Sequence, residues 1–244
     1  MNASALLLDA RGLEKRFGAL VVLDRVDFQV REGEAIGIVG PNGAGKTTLM
    51  NVLSGAYAPN SGTVELMGVD VTATSAAHRS LQGLSRTHQI PRPFLGMTVF
   101  ENVLVAATHG GKVSGQAAYE RAYQSLNLCG MLELANRQAE TIGLLDRKRL
   151  ELARALATDP KVLLLDEIGG GLTDAEAGEL VQTIRELRTR GISIVWIEHI
   201  VHVLLQVAER LICMDSGRII ADGNPDQVMA DRAVVEAYLG RTPE

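Results

Sequence analysis

Apolar residues fall along this chain in three patterns, and each predicts a kind of element. The runs Ala35-Ile36-Gly37-Ile38-Val39, Val162-Leu163-Leu164-Leu165 and Ile192 to Ile197 are short and read as buried strands, that of 162–165 being continuously apolar. Turn residues bound them, such as Glu32-Gly33-Glu34 and Asp159-Pro160. Such runs suit strands covered on both faces of a parallel sheet. Helical spacing appears from Thr47 through Leu49, Val52 and Leu53, from Tyr119 to Leu128 and from Arg147 to Leu156. Thr173-x-x-Glu176 is a capping box opening another helix. Leu180, Val181, Ile184 and Leu187 line one face of that helix, and Gly191 closes it. The third pattern is of short strands set off by turns. Leu6 to Val30 reads as short strands, and Thr63 to Leu66 as a strand after the turn Pro59-Asn60-Ser61-Gly62. Leu211–Met214 and Arg218–Ala221 flank Asp215-Ser216-Gly217 as a hairpin, and Asn224-Pro225 starts a last helix.

Strands and helices alternate, which predicts an α/β fold with a mostly parallel sheet and right-handed crossovers. From about Thr87 to Ala157 the strands disappear, so an all-helical insert interrupts the α/β core. The 244 residues fit one large domain with such an embedded subdomain. No internal repeat or low-complexity segment is present. A net charge of −5, with no dense Lys/Arg stripe, gives no nucleic-acid footprint. Cys129 and Cys213 stand far apart in apolar contexts, so neither a disulfide framework nor a metal pattern follows. No basic leader resembles a signal peptide, and no apolar run approaches the ~20 residues of a membrane helix. A membrane role therefore requires a partner.

The chemistry begins at Gly40-Pro41-Asn42-Gly43-Ala44-Gly45-Lys46-Thr47-Thr48, which fits the P-loop pattern G-x-x-x-x-G-K-[ST]. A buried strand precedes it and a helix follows, as the motif requires. Glycines let backbone N–H groups turn inward around phosphate oxygens, and the helix N-terminus adds its positive dipole end. Lys46 would neutralise the β- and γ-phosphates, and the Thr47 hydroxyl would ligate Mg²⁺. ATP or GTP is the implied ligand. Asp166-Glu167 ends a later apolar strand in the Walker B arrangement, at the edge where open α/β sheets bind ligands. Asp166 would hold Mg²⁺ and Glu167 would orient the attacking water.

With these motifs in order, the chain resembles the ATP-binding-cassette ATPases over nearly its whole length. The resemblance implies a P-loop NTPase (RecA-like) core, an N-terminal antiparallel β subdomain and an inserted α-helical subdomain. It places the core at residues 1–86 and 158–244 and the helical subdomain at 87–157. It also assigns roles. Gln89 matches the glutamine that contacts Mg²⁺ and water. His199, in Trp196-Ile197-Glu198-His199, matches the switch histidine that holds the γ-phosphate. Phe17, in Lys15-Arg16-Phe17-Gly18, matches the aromatic that stacks on adenine. His202 is three residues beyond His199, but a metal pair does not follow, since no third ligand or H-E-x-x-H pattern accompanies it. A closer resemblance lies in Arg86-Thr87-His88-Gln89-Ile90-Pro91-Arg92-Pro93-Phe94 and in Gly96-Met97-Thr98-Val99-Phe100-Glu101-Asn102-Val103. These are similar to the cassettes of bacterial branched-chain amino-acid uptake systems. That family implies ATP and Mg²⁺ as ligands and a second cassette as partner. It also implies permease subunits docking through the Gln89–Phe100 region and, indirectly, an extracytoplasmic solute-binding protein. The expected location is peripheral, on the cytoplasmic face of the inner membrane. From the residues alone, Ile90, Pro91, Pro93, Phe94 and Leu95 are either an exposed contact patch or the packing of the insert onto the core.

One motif departs from the pattern. Where the family signature reads Leu-Ser-Gly-Gly-Gln, this chain has Ile142-Gly143-Leu144-Leu145-Asp146. Gly143 lacks the serine hydroxyl, and Leu145 stands where a glycine is usual. The segment is expected to touch the partner's ATP and to make that shared site weaker. Three functions follow: the ATPase of an amino-acid importer, a mainly nucleotide-binding subunit of an asymmetric heterodimer, or the ATPase of a lipid or polysaccharide exporter.

Overall fold

The computed structural model describes residues 4–239. Six strands form the central sheet: β3 (Ala35–Val39), β6 (Leu84–Arg86), β7 (Val162–Asp166), β8 (Ser193–Ile197), β9 (Arg210–Asp215) and β10 (Arg218–Gly223). Their order across it is β10-β9-β3-β8-β7-β6. The four pairings from β9 to β6 are parallel, and β9–β10 is an antiparallel hairpin. A second, antiparallel sheet has the order β2-β1-β4-β5, from β1 (Leu6–Phe17), β2 (Leu20–Arg31), β4 (Ser61–Leu66) and β5 (Val69–Asp70).

The apolar runs are continuous because the central sheet is buried on both faces. Alternate residues enter different cores. Ala35, Val39, Leu163, Leu165, Ile194 and Trp196 pack in one cluster. It also holds residues of α3 (Val99–His109), α4 (Gly115–Leu128), α5 (Leu144–Leu156) and α6 (Asp174–Thr189). Ile36, Ile38, Val162, Leu164, Val195 and Ile197 pack in the other. That cluster holds the antiparallel sheet and α1 (Lys46–Leu53). Period-2 side-chain alternation on a two-sided strand gives this sorting.

The Leu6–Val30 region is two strands of twelve residues, not several short ones. Their pairing slips between Ala10 and Leu13 and again between Leu13 and Lys15. Each slip breaks the polar–apolar alternation, so one bent strand reads as several. The last helix is two: α8 (Pro225–Ala230) and α9 (Arg232–Leu239). Asp231 between them is extended, and its Oδ1 accepts the Ala233 N–H at 2.8 Å, so it caps a fresh helix. Short α2 (Ala76–Leu81), β5 and β6 carry too few residues to show a period. Between 87 and 157 every helix or turn described is helical, with one isolated bridge between Thr98 and Gln138.

Arg79 of α2 braces the P-loop helix from behind. Its guanidinium is fully buried and donates to the carbonyls of Val52, Leu53, Val71 and Thr72 at 2.7–3.2 Å. Val52 and Leu53 close α1; the Val52 carbonyl also accepts the Gly55 N–H at 3.2 Å, just beyond the helix. Burial pushes the Arg79 pKa down to about 10, which leaves it charged at neutral pH. Arg79→Met should lower stability by about 3 kcal/mol, because buried carbonyls lose their donors. Urea unfolding measures this, and a loss below ~0.5 kcal/mol would contradict the bracing role.

Candidate functional site

Parallel pairing turns the carboxyl ends of β3, β8, β7 and β6 to one edge, where their loops meet. The loop after β3 is the glycine-rich one. Gly40, Gly43 and Gly45 have φ of 141°, 82° and 102°. A Cβ on Gly40 would lie 2.1 Å from the Met214 carbonyl oxygen, and one on Gly45 2.7 Å from that of Val22. These close approaches require glycine. Gly217, in the β9–β10 turn, donates its N–H to the Ala44 carbonyl at 3.0 Å. The loop thus rests on backbone from both sheets.

Lys46 begins α1. It is nearly buried, and its Nζ donates to the Gly40 and Pro41 carbonyls at 2.6 and 3.0 Å. Burial lowers its pKa, while Glu167 and Asp166 oppose that shift. Thr47 is exposed and Thr48 half-buried. Asn42 to Thr48, Val22, Glu167 and His199 enclose a hollow of about 250 Å³. The Glu167 carboxylate is held from two sides. Gln89 Nε2 donates to its Oε2, and His199 Nε2 lies 2.7 Å from its Oε1. Glu167 itself has φ 49°, rare for a non-glycine and frequent at functional sites. Its N–H donates to the Ile197 carbonyl at 2.9 Å, tying β7's end to β8's. The exposed His202 lies on α7 (Val201–Leu204), away from this cluster.

Asp166 is buried. Its Oδ2 pairs with Arg86 Nη2 at 2.6 Å, while Oδ1 has no partner among the described residues. A buried, unmatched carboxylate oxygen beside Thr47's loop fits a hard cation such as Mg²⁺. Arg86, on β6, was not legible as a site residue, since an arginine ending a three-residue strand carries no pattern.

Two further groups escaped sequence reasoning. Lys148 of α5 is nearly buried, and its Nζ reaches the Glu167 carbonyl at 3.4 Å. Glu198 is buried beside His199. Its Oε1 accepts the Gly169 N–H at 2.5 Å and the Trp196 indole N–H at 3.2 Å. Glu198 joins the loop after Glu167 to the end of β8. Its signal in sequence was only a charge ending an apolar run.

Phe17 stands outside the hollow, half-exposed and edge-on to Tyr57 at 5.6 Å. The segment Gly143-Leu144-Leu145-Asp146 also lies outside it, opening α5. Gly143 is the N-cap and gives no side-chain cap. A Cβ there meets nothing within 4 Å, so space does not exclude serine. Leu144 is half-exposed and lies against Gly171. Ile90 and Leu95 are 70% and 72% exposed, and the Phe94 ring lies 4.7 Å from the Arg154 guanidinium. The apolar cluster after Gln89 is therefore a surface patch.

The ABC transporter family model matches residues 23–169. The chain belongs to the ATP-binding-cassette transporter family. A second model, for the branched-chain amino acid ATP-binding cassette transporter, matches residues 218–243. The chain is 37% identical to the high-affinity branched-chain amino acid transport ATP-binding protein LivG of Salmonella typhimurium, over 96% of this chain and 98% of that one. It is 35% identical to the lipopolysaccharide export ATP-binding protein LptB of Acidithiobacillus ferridurans, over 96% and 97%. A nucleotide-free ATP-binding cassette superposes with a TM-score of 0.89 at 31% identity, over 97% of this chain and all of that one. The α/β core with its antiparallel sheet and helical insert is the cassette fold.

Burial raises the pKa of Glu198, against hydrogen bonds from Gly169, Trp196 and His199 and the charge of Lys148. The folded cassette therefore keeps this proton to higher pH than the unfolded chain. Above the ordinary value of 4.5, the group's contribution to stability falls as pH rises through its folded pKa. Glu198→Gln removes that fall. The stability difference, variant minus wild type, should rise across that window in urea unfolding at stepped pH. A difference that is flat there would contradict the assignment.

Proposed function

We propose that this cassette binds and hydrolyses Mg-ATP and drives a membrane importer of branched-chain or related amino acids. One observation carries the enzymatic part: the Glu167 carboxylate is held between Gln89 and His199 at the mouth of the glycine loop. In this reading residues 1–86 and 158–244 form the nucleotide-binding core, and 87–157 the helical subdomain.

Gly40, Pro41, Asn42, Gly43, Ala44, Gly45, Lys46, Thr47 and Thr48 bind the phosphates, through N–H groups, the ammonium and the α1 N-terminus. Lys46 exchanges its loop carbonyls for phosphate oxygens. Phe17 receives the adenine face. Thr47, Asp166 and Gln89 hold Mg²⁺, with the free Asp166 Oδ1 as the supporting feature. A bound Mg²⁺ neutralises charge on the phosphate oxygens. Glu167 orients water for in-line attack on the γ-phosphate. His199 shares that carboxylate and holds the γ-phosphate, so phosphate loss alters the loop after β8. Gly143, Leu144, Leu145 and Asp146 face the ATP of a second cassette, offering backbone N–H groups and the α5 dipole without a serine hydroxyl.

Transport coupling rests on the surface after Gln89. A groove of about 410 Å³ runs beside it, with Ala76, Ala77, Ala155, His88, Arg92 and Arg154 among its walls. Permease subunits dock there, and a solute-binding protein acts through them. Among the described residues no helix is long and apolar enough to cross a membrane; the family likeness supports peripheral attachment to the cytoplasmic face. The similarity to LivG and the match over 218–243 favour an importer. The similarity to LptB keeps an exporter as the second reading. The altered signature keeps a third, a mainly nucleotide-binding member of an unequal pair.

Glu167→Gln should keep ATP affinity and lose hydrolysis by about 10²–10⁴-fold, the usual worth of a positioned acid–base group. Turnover near wild type would remove the role. Gentle affinity purification from the host's membranes should recover two permease chains and a second cassette. Recovery of no membrane protein would overturn the transporter reading.

A further inference from the structure

The first glycine of the phosphate loop is held by a residue 198 positions away. Gly40 donates its N–H to the Tyr238 phenol oxygen at 2.8 Å. Tyr238 lies on α9, which packs on α8 and β10. All three lie within 218–243, the stretch matched by the branched-chain cassette model. Gly40 is gripped elsewhere as well. The Met214 carbonyl sits so close that no Cβ fits, and the Gly40 carbonyl accepts the Lys46 ammonium at 2.6 Å. One residue therefore bears Tyr238 on its N–H and, on its carbonyl, the lysine that neutralises phosphate charge.

We propose that Tyr238 is a positioning residue for nucleotide binding, and that α9 acts as a latch which fixes the Gly40 peptide and thereby the resting place of Lys46. The inference rests on the nucleotide-binding reading above. Burial raises the phenol's pKa, so it stays protonated and neutral at physiological pH. A neutral acceptor orders the Gly40 N–H without attracting the Lys46 ammonium away from phosphate. The ring is half-exposed, so the contact lies at the domain surface, where α9 can undock without unfolding the core. Linkage then works both ways: a docked α9 tightens nucleotide binding, and bound nucleotide holds α9 in place.

The test uses the full chain and Mg-ATP, with binding measured first in the wild type. Absence of wild-type binding would remove the nucleotide reading itself. Given binding, Tyr238→Phe should weaken ATP and ADP alike by about fivefold, the worth of one neutral hydrogen bond. KM should rise with kcat nearly unchanged, and the Gly40 amide should exchange its hydrogen faster. ATP should slow proteolysis at α9 in the wild type, and less so in the variant. Wild-type affinity and unchanged Gly40 exchange in Tyr238→Phe would overturn the proposal. So would a loss seen in Tyr238→Ala but not in Tyr238→Phe, since ring packing rather than the phenol would then be responsible.

Discussion

Parallel hydrogen bonding of β3, β8, β7 and β6 is the constraint on which the rest depends. A parallel pair sends both following loops to the same edge, and needs a crossover to return. Four adjacent parallel strands therefore deliver the glycine loop, His199, Glu167 and Gln89 to one row, about 4.8 Å apart per strand. The same arrangement forces the strands to be buried on both faces. The site's geometry and the double core are consequences of one choice of pairing.

The row is made rigid by backbone more than by side chains. Met214 and Val22 carbonyls press on glycines 40 and 45, Gly217 holds Ala44, and Ile197 holds the Glu167 N–H. Side-chain charges are then spent on orientation. Glu198 ties Gly169 to Trp196, Lys148 reaches over the Glu167 carbonyl, and Arg86 occupies one oxygen of Asp166. Lys148 sits on α5, which also opens with the altered signature segment. The helix proposed to face a second cassette is thereby in contact with the Glu167 backbone. Movement of the helical subdomain has a direct physical route to Glu167.

Much of this was legible in the chain. The P-loop, the Asp-Glu pair and their flanking apolar runs state strand, loop and helix in order, because each is a local pattern with a local cause. Thr173 and Glu176 form the capping box read from their spacing, Thr173 accepting the Glu176 N–H and Glu176 accepting that of Thr173. The long β1 and β2 were hidden by register slips, and β6 by its three residues. The separate α8 and α9 were hidden because one capping aspartate interrupts an otherwise helical stretch.

By itself, the sequence determined the fold class, the glycine loop between β3 and α1 and the strand that ends at Asp166, since glycine spacing and apolar periodicity act over a few residues. Only the tertiary structure decided which side chains meet. Gln89 and His199 converge on Glu167 across 78 and 32 residues of chain, Arg86 finds Asp166, and Tyr238 finds Gly40. It also decided that Ile90 and Leu95 face outward rather than into the core. Those contacts depend on strand order and burial, which arise when distant segments pack together and leave no periodic trace along the chain.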